Sequence, residues 1–135
     1  MDISETPGEI QLLVKASREA AKQAYAPYSR FHVGSAVLTE DGRVFTGCNI
    51  ENASYGLSIC AERNAVFSAV SAGERKIRAV AIFVSGDEAA FPCGACRQVL
   101  AEFAPQDESV KIYLVSDKGV ETHTLAELLP HAFKL

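Results

Sequence analysis

Apolar residues recur at helical spacing near the start of this chain and in strand-like runs further on. Ile10, Leu13, Val14, Ala20, Ala21 and Ala24 mark one side of a helix. Thr6-Pro7-Gly8-Glu9 precedes them with a capping Thr, Pro at the first helical position and Glu at the third, and Pro27 ends the helix. Val33 to Thr39 and Arg43 to Asn49 read as two strands joined by a Glu40-Asp41-Gly42 turn. Cys60 to Ala72 reads as a helix closed by Gly73. Ile77 to Val84 is a continuous apolar strand of the kind buried on both faces. Pro92 opens a short helix from Cys93 to about Phe103. Val110 to Val115 is another buried strand, and Val120 to Thr122 a shorter one after Lys118-Gly119. Thr124 and Glu127 form a capping box for a last helix that stops at Pro130. The order α-β-β-α-β-α-β-β-α predicts an α/β fold, a three-layer α/β/α sandwich around a five-stranded mixed sheet. Helix-linked strands favour parallel crossovers.

Composition narrows the partners. A chain of 135 residues predicts one domain, residues 1–135, with room for a substantial core. A net charge of −4 argues against a nucleic-acid polymer, which requires clustered Lys and Arg. The run Ala79 to Val84 is too short to span a membrane. Met1-Asp2-Ile3-Ser4-Glu5 lacks the basic and apolar segments of a signal peptide, so a cytoplasmic protein with reduced cysteines is expected. In that compartment the Asn52-Ala53-Ser54 sequon carries no meaning.

Candidate chemistry concentrates in two short segments, Cys60-Ala61-Glu62-Arg63 and Pro92-Cys93-Gly94-Ala95-Cys96-Arg97. Cys93 and Cys96 share a face at one helix start, and Cys60 opens another helix. Three protein ligands on Zn²⁺ leave a fourth position for water, whereas a structural zinc is closed by four. The candidates for a fourth ligand, Cys48, His32, His123 and His131, stand at no ligand spacing from the other three. Cys-x-x-Cys alone also fits a thioredoxin-like redox pair, but that arrangement follows the first strand directly and needs no upstream Cys-x-Glu. An isolated Glu62 would read as a solvated helix residue. Two positions from Cys60, it cannot share the cysteine's helix face, yet it can reach around a metal's open side as a proton shuttle. Arg63 is three residues after Cys60, a spacing that lets its guanidinium offset thiolate charge.

Cys-x-Glu followed by Pro-Cys-x-x-Cys is the pattern of the zinc deaminases. Together with Tyr25-Ala26-Pro27-Tyr28-Ser29, Gly47-Cys48-Asn49-Ile50-Glu51-Asn52 and Cys93-Gly94-Ala95-Cys96-Arg97-Gln98, it closely resembles the small homotetrameric cytidine deaminases, from about Ala24 to Phe133. The resemblance implies hydrolytic deamination of cytidine and deoxycytidine, with zinc-activated water and Glu62 as the acid/base, in pyrimidine salvage. It implies one zinc per chain on Cys60, Cys93 and Cys96. It further implies that Asn49 and Glu51 bind the ribose 3′-hydroxyl, that Phe31 packs on the pyrimidine, and that the Ala61 backbone meets the base edge. Tyr55 and Phe133 would close the pocket from neighbouring subunits of a homotetramer with shared active sites. On spacing alone, Asn49 and Glu51 read rather as a polar strand end, and Phe31 as plain core. Phe91, His32 and Ser35 depart from the commoner family choices. The related blasticidin deaminases share the metal motif, although Asn49-Ile50-Glu51 favours a nucleoside. A retained Glu62 argues against an inactive zinc-bound module. Deaminases of tRNA or DNA typically carry His where Cys60 stands and use a basic groove.

Overall fold

The computed structural model describes residues 7–105 and 109–135. Thr6, the expected cap of the first helix, lies outside them. Helix α1 spans Gly8–Ala21 and buries Ile10, Leu13, Val14 and Ala21, an apolar stripe at helical spacing, together with Ser17. It ends before the expected Ala24. Strand β1 (Val33–Thr39) and strand β2 (Val44–Cys48) pair antiparallel. They turn at Gly42, whose φ of 90° suits glycine. Helix α2 spans Ala61–Ser71, strand β3 Ile77–Val84 and helix α3 Gly94–Glu102. Strand β4 (Lys111–Ser116) and strand β5 (Gly119–Thr124) follow, then the short helix α4, Leu125–Leu128.

Among the described residues the strands form one sheet in the order β2-β1-β3-β4-β5. The β3–β4 ladder, linked through α3, is parallel, and the other ladders are antiparallel. The expected mixed five-stranded sheet is therefore present. Its two faces carry separate cores. Ala36, Leu38, Ala79, Ala81 and Phe83 pack under α1, while Val37, Val80 and Ile82 face Ala65, Val66, Ala69 and Leu100 of α2 and α3. That split follows from the period-two alternation of side chains along β1 and β3. Each fully buried Leu or Ile stabilises the fold by about 1.5 to 3 kcal/mol relative to leaving it in water.

Close approach of the layers depends on Gly34. A Cβ there would lie 2.0 Å from the Ser17 carbonyl oxygen, so glycine lets α1 sit directly on β1. The buried hydroxyls of Ser17 and Ser35 are satisfied. Ser17 Oγ donates to the Val14 carbonyl at 2.6 Å and Ser35 Oγ to the Ala81 carbonyl at 2.9 Å.

Candidate metal centre and nucleoside pocket

Two helix starts meet at one end of the sheet. Cys60 caps α2 and Cys93 caps α3, both with extended backbone rather than as the first helical residues that the apolar pattern predicts. Cys93 Sγ accepts a hydrogen bond from the Cys96 backbone N–H at 3.5 Å. The sulfurs of Cys60, Cys93 and Cys96 all lie within 4.8 Å of one another, with Cys60–Cys93 at 3.8 Å and Cys93–Cys96 at 3.4 Å. Cys96 is fully buried and Cys93 is exposed, so the cluster opens on one side. Three convergent thiols, all at helix N-terminal turns, are a donor set suited to Zn²⁺.

Arg63 Nη2 donates to Cys60 Sγ at 3.4 Å, the contact expected from the three-residue spacing. The Cys60 thiol is held down to about 5, first by its hydrogen bond with Cys96, then by Arg63 and Cys93, with burial opposing. Cys96 moves the other way, because the hydrogen bond to Cys60 and burial both favour its neutral form. A negative charge in the cluster thus settles first on the sulfur that Arg63 faces.

Glu62 lies in the first turn of α2 and is only 5% exposed. Burial pushes its carboxyl up to about 7, and the nearby Cys60 charge pushes in the same direction. Such a carboxyl exchanges its proton near neutrality, as a general acid/base must.

A cavity of about 250 Å³ opens beside the cluster, lined among others by Phe31, Asn49, Glu51, Cys60, Ala61, Glu62 and Cys93. Those residues come together through a small backbone network. Ile50 bridges Tyr25 on one side and Ile59 on the other, which sets Glu51 beside Ser29 and brings Cys60 to the cavity wall. Asn49 Oδ1 accepts from the Val33 N–H at 2.9 Å, and its Nδ2 donates to the Phe31 carbonyl at 2.7 Å. Glu51 Oε1 accepts from the Tyr28 and Ser29 N–H groups at 2.9 and 3.1 Å, and its Oε2 accepts from the Ser29 hydroxyl. The Ser29 hydroxyl above all, helped by those N–H groups, holds the Glu51 carboxyl below its ordinary range.

Tyr55 and Phe133 are elsewhere. Tyr55 sits on a single 3-10 turn, Tyr55–Leu57, 79% exposed. It lines a second depression of about 380 Å³ with Tyr28, Ser29 and Glu51. Phe133 is 69% exposed near the carboxy terminus and lines neither cavity.

Several positioning residues escaped the sequence reading. Ser29 joins Glu51 to the Phe31 N–H, which it accepts at 3.0 Å. Asn64 Nδ2 donates to the Cys48 carbonyl at 2.8 Å, tying α2 to the end of β2. Arg97 donates at 2.7 Å to the carbonyls of both Pro92 and Leu128, and Gln98 donates to the Phe133 carbonyl at 3.0 Å. Ser29, Arg97 and Gln98 all stand inside the motifs quoted above, and that was the available signal.

Fold and site together define the class. The chain belongs to the cytidine and deoxycytidylate deaminase zinc-binding family, which matches residues 7–112. It is 51% identical over 124 residues to the cytidine deaminase of Halalkalibacterium halodurans, covering 91% of this chain and 92% of that protein. The cytidine deaminase of Sporosarcina psychrophila is 48% identical over 126 residues, covering 93% and 91%. The crystal structure of cytidine deaminase from Burkholderia pseudomallei superposes with a TM-score of 0.84 at 46% identity, covering 90% of this chain and 97% of that one.

Proposed function

We propose that this chain is a cytidine deaminase: it hydrolyses the C4 amine of cytidine and deoxycytidine, yielding uridine or deoxyuridine and ammonia. The observation that carries the reading is a buried carboxyl, Glu62, and a three-thiol cluster meeting at the wall of one cavity. The similar proteins bear the same activity in their names.

Cys60, Cys93 and Cys96 would hold one zinc, which when bound supplies a Lewis acid that brings the pKa of water towards about 7. Glu62 accepts the proton of the attacking water and passes it to N3 of the pyrimidine. It then takes the proton of the new C4 hydroxyl and delivers it to the amine, so that the C4–N bond breaks, C4=O forms and ammonia leaves. The elevated proton affinity of Glu62 suits both directions of transfer. Arg63 is the charge-tuning residue, withdrawing charge from the Cys60 sulfur that it faces.

Phe31 packs on the base, and the Ala61 backbone meets the base edge. Asn49 and Glu51 bind the ribose 3′-hydroxyl. Their contacts with the backbone leave capacity for this, since an amide retains a second N–H and a carboxylate offers about four acceptor sites. Tyr55 and Phe133 complete the pocket of a neighbouring subunit in a homotetramer. Their exposure supports that reading, as do the exposed Tyr25, Ile50, Leu57 and Phe67.

The protein acts as a single domain over residues 1–135 in cytoplasmic pyrimidine salvage, on small nucleosides rather than nucleic-acid polymers. Four free cysteines fit a reducing compartment. No helix of the described residues is long and apolar enough to cross a membrane. An absorbance assay across cytidine, deoxycytidine, cytosine and blasticidin S tests the assignment. The two nucleosides should be turned over and the other two poorly. Preferred turnover of blasticidin S would move the chain to the blasticidin branch.

A further inference from the structure

A second aromatic ring, Phe91, borders the cavity that holds Phe31 and Glu62. Its side chain is 50% exposed, yet several contacts hold it. Phe91 precedes Pro92, which restricts its backbone to extended conformations. Pro92 is itself buried, and its carbonyl accepts from Arg97 Nε at 2.7 Å. The Phe91 ring packs against His123, with centroids 5.1 Å apart and planes tilted by 60°, a favourable aromatic arrangement. His123 in turn is held in β5 opposite Ile112, with its ring nitrogens 3.4 Å from Glu121 Oε1 and 3.6 Å from Glu127 Oε2. Thr124 fixes Glu127 by accepting its N–H at 3.2 Å. The ring is therefore supported from the β5–α4 junction and from the turn that enters α3.

Its location bears on the reaction, given the activity proposed above. Glu62 and Cys93 mark the end of the cavity where C4 and its amine must lie. Phe91, two residues before Cys93 in the chain, lines the same cavity. An unsubstituted amine needs little room beside such a ring, whereas an alkyl group on it must displace a supported aromatic side chain.

We propose that Phe91, held by His123, is a specificity-determining residue that excludes nucleosides carrying an alkyl group on the C4 amine. The excluded reaction is chemically the same hydrolysis. For N4-methylcytidine, water supplies the oxygen of a new C4–O bond and the protons, the C4–N bond breaks, and methylamine leaves as uridine forms.

The test compares kcat/KM for N4-methylcytidine with that for cytidine in the zinc-loaded parent, Phe91→Ser and His123→Ala. Discrimination by one methyl in an apolar pocket runs to roughly ten- to two-hundredfold. Phe91→Ser should therefore raise the ratio by about tenfold or more. His123→Ala, which frees the ring without removing it, should raise the ratio by less. 5-Methylcytidine serves as the control substrate, and its ratio to cytidine should change little. An unchanged N4-methylcytidine ratio in Phe91→Ser overturns the proposal, and so does a gain confined to 5-methylcytidine. Parent turnover of cytidine itself is read separately. Its absence would sink the deaminase reading, whereas a failed ratio with active parent enzyme sinks only the role of Phe91.

Discussion

A Cβ added to Gly47 of β2 would lie 2.4 Å from the backbone nitrogen of Ala65 in α2 and 2.7 Å from the Ala61 carbonyl oxygen. Both contacts are with backbone, so neither can swing away. Glycine at this position sets how closely α2 lies on the sheet, and α2 carries Cys60, Glu62 and Arg63 at its start. Gly47→Ala should force the helix outward and destabilise the fold by about 1 to 3 kcal/mol, the usual range for overpacking. Thermal unfolding of the zinc-loaded protein measures it. An unchanged midpoint would show that α2 has slack against β2.

Removing the proposed proton carrier should separate binding from chemistry. Glu62→Gln keeps the shape of the side chain and leaves the three thiols in place. One zinc per chain should remain by elemental analysis, while kcat falls by about 10²- to 10⁴-fold. Near-parental turnover would take Glu62 out of the mechanism.

Arg63 faces the Cys60 sulfur at 3.4 Å. A hydrogen bond to a charged group contributes about 1.5 to 3 kcal/mol, so its loss should slow deamination by roughly tenfold or more. Arg63→Gln should retain zinc and lose rate, and Arg63→Ala should also release zinc faster to a chelator. Matching rates and zinc content in both variants would leave the thiolate charge without its proposed counterweight.

The Ser29 hydroxyl is the largest influence holding the Glu51 carboxyl below its ordinary range. For a depressed carboxylate, the benefit of the ionised form is present above the ordinary value and disappears as pH falls through the lowered one. Ser29→Ala should therefore move the Glu51 titration to higher pH. The acid-side rise in KM for cytidine should begin at a higher pH than in the parent, with kcat near neutrality less affected. Superimposable KM profiles in the acid range would separate Ser29 from ribose binding.

Much of this architecture was legible in the chain. Val33–Thr39 and Ile77–Val84 match the predicted strands at both ends, because continuous apolar runs bounded by turns leave little freedom. The Thr124 cap is present as read, with its oxygen accepting from the Glu127 N–H. Helix α1 stops at Ala21 rather than continuing towards Pro27, since Tyr25 leaves the helix to pair with Ile50. Strand β5 runs to Thr124, beyond the expected Thr122, because pairing with β4 supports polar residues that no apolar pattern marks. The convergence of Cys60, Cys93 and Cys96, expected from their spacing, is present, with their sulfurs within 4.8 Å of one another. The clamps made by Ser29, Asn64 and Arg97 depend on segments far apart in sequence meeting in space, and local patterning carries no record of that.

The most direct test is to incubate the purified, zinc-loaded protein with cytidine and follow the absorbance change alongside ammonia release. Conversion to uridine is expected, with one ammonia for each nucleoside consumed. A folded protein that carries one zinc per chain yet leaves cytidine unchanged would contradict it.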